Sequence, residues 1–171
     1  MLLWGGDAPP DLGTESPSGG TVSVLLGNGD GAFGSAAGFA TGAFASSVAI
    51  GDLNRDGKPD LSVANSGANS VSALLGNGDG TFEVASEFAA GSNPISVAVG
   101  DLDGDGKADL VAANYSSGTA SVLLGNGDGT FGAKTDFETG PNGSSVAIGD
   151  LDGDGNSDLV VASYSSIRCR C

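Results

Sequence analysis

Three stretches of this 171-residue chain alternate acidic side chains with small residues: "GDLNRDGKPDL" from Gly51, "GDLDGDGKADL" from Gly100 and "GDLDGDGNSDL" from Gly149. In the middle copy, Asp101, Asp103, Asp105, Lys107 and Asp109 take positions one, three, five, seven and nine of a loop. Side-chain oxygens at one, three, five and nine, with a backbone carbonyl at seven, can wrap a hard cation. Glycine at position six (Gly57, Gly106 and Gly155) permits the sharp turn that such a wrap needs. Asp52, Asn54, Asp56 and Asp60 repeat the scheme with the carbonyl of Lys58, and Asp150, Asp152, Asp154 and Asp158 with that of Asn156. A flexible shell of about six to eight oxygens suits Ca2+, whereas Mg2+ wants a small octahedron with retained water. Softer metals call for histidine or cysteine, and these loops hold neither.

An EF-hand shares the first half of this pattern but needs a glutamate at position twelve and helical flanks. The twelfth residues here are Val63, Ala112 and Val161, and the flanks read as strands. Aspartate and glycine are also ordinary turn residues. Three copies that keep side-chain oxygens at one, three, five and nine and the same glycine favour metal loops, because bare carboxylates at this spacing repel one another. The first loop carries three carboxylates plus Asn54, with Arg55 and Lys58 beside them, so it is expected to bind most weakly. Three Ca2+ ions would carry the formal net charge from −15 to −9.

Other candidates are weaker. Asp30, Asp79 and Asp128 are lone acids in "GNGDG" and read as hairpin residues. Trp4, Tyr115 and Tyr164 are scattered, which suits packing better than a sugar platform. With 21 acidic residues against 6 basic ones, neither nucleic acid nor an anionic membrane is an expected partner. The absence of histidine removes the commonest general acid–base residue. No apolar run reaches membrane-span length, and "MLLW" is too short for a secretory signal. Cys169 and Cys171 make no disulfide framework.

The elements that must position the loops follow from a repeat. "LLGNGDG" has its first glycine at Gly27, Gly76 and Gly125, and the acidic phrase starts at Gly51, Gly100 and Gly149, so both advance by 49 residues. Such an unvarying period means one supersecondary unit copied along the chain. The same offset maps Asp56, Pro59, Asp60 and Leu61 onto Asp7, Pro10, Asp11 and Leu12, a worn fourth copy. Its first two ligand positions are Leu3 and Gly5, so no metal is expected there. Within a unit, strands are predicted at 46–53, 60–66, 70–76 and 81–89, bounded by Gly, Asn and Asp with no helical period. Small residues on both strand faces suit sheets packed against neighbouring sheets. Four antiparallel strands per unit predict an all-β chain of β-propeller-type blades, ahead of a β-solenoid.

"GDLDGDGKADLVAAN" followed by "ASVLLGNGDGTFGA" resembles the FG-GAP/VCBS repeats, relatives of the integrin α-subunit propeller, from about residue 5 to residue 165. The resemblance implies Ca2+ in the loop between the first two strands of each blade, held by the residues named above. It further implies a secreted or cell-surface protein serving adhesion, ligand binding or scaffolding. Arg55 departs from the family's glycine, and "SIRCRC" (166–171) has no counterpart in other units. The expected organisation is one array over 1–165: a partial blade at 1–45, blades at 46–94 and 95–143, and the first strands of another at 144–165. That is about three blades, where closed rings use about four to eight. The array is therefore read as a piece of a longer chain, a homodimer completing a six-bladed ring, or an open arc, with the piece preferred. A non-catalytic calcium-binding module that holds a protein or glycan ligand is the leading functional reading. Alternatives are a lectin-like propeller, which wants a recurring rim aromatic such as Phe33, Phe82 and Phe131, or an accessory part of a polysaccharide-active enzyme.

Overall fold

The computed structural model describes residues 2–3 and 19–164. The worn copy (Gly5, Asp7, Pro10, Asp11, Leu12), Trp4, the 166–171 tail and both cysteines lie outside the described residues. Four antiparallel sheets follow one another along the chain. The first holds β1 (Leu2–Leu3), β2 (Gly20–Val24) and β3 (Ala37–Thr41). The second holds β4 (Ala45–Gly51), β5 (Asp60–Asn65), β6 (Ser70–Leu74) and β7 (Ser86–Ala89), in that spatial order. The third repeats it with β8 (Pro94–Gly100), β9 (Asp109–Asn114), β10 (Thr119–Leu123) and β11 (Thr135–Glu138). The fourth holds β12 (Gly143–Gly149) and β13 (Asp158–Ser163). No helix occurs among the described residues.

Packing explains the strand composition. β5 and β9 are buried along their whole length on both faces. Leu61 and Val63 pack with Val22 toward the first sheet, while Ala64 packs with Val97, Leu110 and Ala112 toward the third. Val111 and Ala113 meet Val146 of the fourth sheet. Small side chains on alternate positions let neighbouring sheets approach on both sides. The first strands of successive sheets also lie side by side: the Val97 N–H donates to Ser47 Oγ at 3.3 Å, and the Val146 N–H to Ser96 Oγ at 3.2 Å. The blades are stacked, and the ring is not closed among the described residues.

One predicted strand starts later than expected. The sequence predicts strand over 81–89, yet β7 begins at Ser86. Phe82 makes only an isolated bridge to Gly76, and Phe131 the same to Gly125. Phe82 turns toward Phe39 and Phe131 toward Phe88, each edge-to-face at 5.1 Å. These aromatics serve contacts between sheets.

Candidate metal centre

Each acidic loop joins the first and second strands of a sheet, so β8 ends at Gly100 and β9 begins at Asp109. The register fixes this closure, because Gly100 pairs with Asp109 and Gly149 with Asp158. Between those ends the backbone must turn sharply, and Gly104 and Gly106 adopt φ of 77° and 79°. The amides so exposed fold back onto the first acid. In the second loop, Gly104 N–H donates to Asp101 Oδ1 at 2.8 Å and Gly106 N–H to Oδ2 at 2.9 Å. In the third, Gly153 and Gly155 do the same to Asp150, at 2.7 and 3.0 Å. These amides hold the Asp150 carboxyl below its ordinary pKa.

Positions one, three and nine come together. Asp101, Asp103 and Asp109 each offer an oxygen, all within 4.8 Å of one another, and so do Asp150, Asp152 and Asp158. Ca2+ binds oxygen at about 2.3–2.6 Å, so ligands across one ion stand about 5 Å apart. The trios therefore have the span of a single calcium shell, and their donor set is hard oxygen throughout. The residues fit the ion that the loop pattern implies.

Position five is arranged differently. Asp105 accepts the Lys107 N–H at 2.9 Å and pairs with Lys107 Nζ, so it faces residue seven and stands outside the trio. Asp154 likewise takes the Asn156 N–H and Nδ2, both at 2.8 Å. Asp56 takes the Lys58 N–H at 2.9 Å and Nζ at 3.0 Å. The lysine side-chain bond to Asp105, then the backbone bond, hold that carboxyl below its usual value, and the same pairing raises Lys107.

The first loop departs further. Asn54 supplies an amide oxygen where the others have a carboxylate, and that oxygen accepts the Asp56 N–H at 3.0 Å. Arg55 replaces the glycine of position four and carries a φ of 64°, a region disfavoured for side chains with a Cβ. Asp52 takes its amide bonds from Asp56 and Gly57. A groove of about 470 Å³ opens between the first two loops, lined by Asp52, Arg55, Asp101 and Lys107 among others.

Sequence reasoning missed a second duty of position nine. Asp60 is buried, with Oδ2 accepting the Leu53 N–H and Oδ1 the Gly76 N–H, both at 2.7 Å. Asp109 repeats this with Leu102 and Gly125, both at 2.8 Å. The acid thus ties the metal loop to the glycine-rich hairpin of the same sheet. The constant spacing from these aspartates to the hairpin glycines was the available signal. The lone hairpin acids stay in their turns: Asp79 Oδ1 accepts both the N–H and the hydroxyl of Thr81, and Asp128 those of Thr130.

A family model described as the FG-GAP-like repeat matches residues 6–63, 52–112 and 101–161. The chain belongs to the FG-GAP-like repeat family. The second and third FG-GAP-like matches each begin at one acidic loop and run past the next, so each spans a full repeat from loop to loop. Comparison with curated proteins finds no match. The four-stranded sheets are accordingly blades of the β-propeller type, and the acidic loops of this FG-GAP-like array stand at the same corner of successive blades.

Proposed function

We propose that the chain is a non-catalytic, calcium-stabilised propeller module that presents a binding or scaffolding surface in a secreted or cell-surface protein. The observation carrying this reading is the pair of carboxylate trios, Asp101/Asp103/Asp109 and Asp150/Asp152/Asp158, set at equivalent corners of adjacent blades. Asp105 and Asp154 stand one step away, and their release from residue seven would enlarge each shell. The loop of Asp52, Asn54, Asp56 and Asp60 is the weaker third site. The carbonyls of Lys58, Lys107 and Asn156 complete the ligand sets. Bound Ca2+ would neutralise acids that otherwise repel, and so hold each loop closed. The family's usual extracellular setting, where Ca2+ is plentiful, supports this reading.

A non-catalytic role is favoured because the first acid of each loop is committed to backbone amides, and the chain has no histidine. A sugar platform built from the recurring phenylalanines finds no support, since Phe82 and Phe131 pack between sheets. The test is thermal unfolding with Ca2+ and with EDTA. A ligand that binds only the folded state adds about 2.7 kcal/mol per site at a hundredfold excess over Kd. A melting temperature unmoved by EDTA rejects the proposal. A glycan array checks the lectin-like alternative.

A further inference from the structure

The phrase "LLGNGDG" gives Asn28–Gly29, Asn77–Gly78 and Asn126–Gly127 identical neighbours for three residues on either side of the asparagine. Their hairpins share one backbone as well. The asparagine N–H donates to the carbonyl of Ala32, Thr81 or Thr130, at 2.9, 3.0 and 2.9 Å. Gly29, Gly78 and Gly127 hold φ of 85°, 86° and 80°. All three asparagines are exposed, Asn77 in a sheet with neighbours on both sides, so solvent access at this position comes from the fold.

Residue 32 breaks the likeness. Asn77 Nδ2 donates to Thr81 Oγ1 and Asn126 Nδ2 to Thr130 Oγ1, both at 2.9 Å. Those hydroxyls donate in turn to Asp79 and Asp128, both at 2.6 Å. The first hairpin has Ala32 in the threonine's place, and Asp30 accepts its N–H at 2.9 Å. Asn28 therefore lacks the hydroxyl tie that holds its two counterparts.

We propose that Asn28 is a modification site, where the side-chain amide is lost through attack by the Gly29 backbone nitrogen. Glycine has no Cβ, so its nitrogen can approach the preceding side chain closely. That nitrogen gives its proton to solvent and bonds to Asn28 Cγ. The Cγ–Nδ2 bond breaks, and the amide takes up a proton and leaves as ammonia. Water then adds to either carbonyl of the succinimide and opens it, giving aspartate or isoaspartate. Solvent supplies every other reactant. A side chain tied through Nδ2 must break that bond before Cγ can swing to the glycine nitrogen, which protects Asn77 and Asn126 but not Asn28. The product adds a negative charge and, as isoaspartate, a backbone methylene. It does so two residues from Leu26, which lies over Gly80 of the next sheet. The modification thus bears on the contact between the first two sheets.

The test is incubation of the folded full chain in mildly alkaline buffer, with mass-spectrometric peptide mapping to follow each asparagine over time. Asn28 is expected to convert about threefold to tenfold faster than Asn77 and Asn126, the effect of one missing hydrogen bond. Ala32→Thr should slow Asn28 to the pace of Asn77, and Thr81→Ala should bring Asn77 to the pace of Asn28. Circular dichroism checks that both variants stay folded. In urea that unfolds the chain, only the shared local sequence remains, and the three sites should convert at one rate. Equal rates in the folded chain, no conversion at any site, or an Asn28 rate unmoved by Ala32→Thr overturns the proposal. So does a ranking that persists in urea.

Discussion

Asp109 and Gly125 are joined by a 2.8 Å hydrogen bond in which the glycine N–H donates to Oδ1. The other carboxylate oxygen accepts the Leu102 N–H, and the side chain is shut away from solvent. One acid therefore closes the metal loop and latches the hairpin. Asp109→Ala strands two amides, each costing about 1–3 kcal/mol when left unsatisfied. The expected loss is about 2–6 kcal/mol in urea unfolding with EDTA present, and Asp109→Asn should lose less. An unchanged midpoint contradicts this account.

The glycine end of that bond is equally constrained. A Cβ on Gly125 would stand 2.1 Å from the Ala108 carbonyl oxygen, and one on Gly76 equally close to that of Pro59. Backbone cannot yield as a flexible side chain does. Gly125→Ala is expected to cost about 3 kcal/mol or more, in the range of severe substitutions. Gly38→Ala, where nothing lies within 4 Å, is the control and should be near neutral. Denaturant midpoints for the two variants decide the matter.

Calorimetric Ca2+ titration should show the second and third loops binding more tightly than the first. Asp103→Asn should weaken the second site by about tenfold, because carboxylate count tunes affinity. The heat assigned to the third loop should stay in place. A single uniform class of sites including Asn54 would contradict the ordering.

Arg55→Gly should strengthen the first loop. It relieves a left-handed φ of 64° and removes a cation beside the ligands. The backbone gain is up to about 1 kcal/mol, reduced by the added freedom of the unfolded chain. Stability in EDTA should rise by some tenths of a kcal/mol, and affinity should rise further in Asn54→Asp/Arg55→Gly. A double variant that binds no more tightly than the parent counts against this.

Acid should loosen the hairpins in a defined window. Hydrogen bonds from the Thr81 hydroxyl and N–H hold the Asp79 carboxyl below its ordinary pKa of 3.8, and Thr130 does the same for Asp128. A depressed folded pKa means the unfolded chain binds protons more readily. Its stabilising effect is complete above the ordinary value and is lost as pH falls through the folded one. In EDTA, Asp79→Asn/Asp128→Asn should flatten stability against pH below about pH 4. A parent-like slope in that variant is the contrary result.

The loops and sheets were legible because their signals are local and periodic. Carboxylates at alternate positions and glycines at a constant offset need no tertiary knowledge. The start of β7 was misplaced because Phe82 has strand-forming character, while its actual use is a contact with Phe39 in another sheet. The setting of Asp105 was hidden because Lys107, two residues on, competes for it. The latch from Asp60 to Gly76 was hidden because it depends on the register of two strands, which spacing alone does not state.

The position-nine latch also bears on how the chain avoids tangling as it is made. Near-identical units invite strands to pair with the wrong copy, a known failure of repeat proteins. Asp60–Gly76 and Asp109–Gly125 both close within one unit, over a short separation. Each unit can secure its own loop and hairpin while the next is still being synthesised. Nearest-neighbour stacking then lets each new sheet be laid on one already formed.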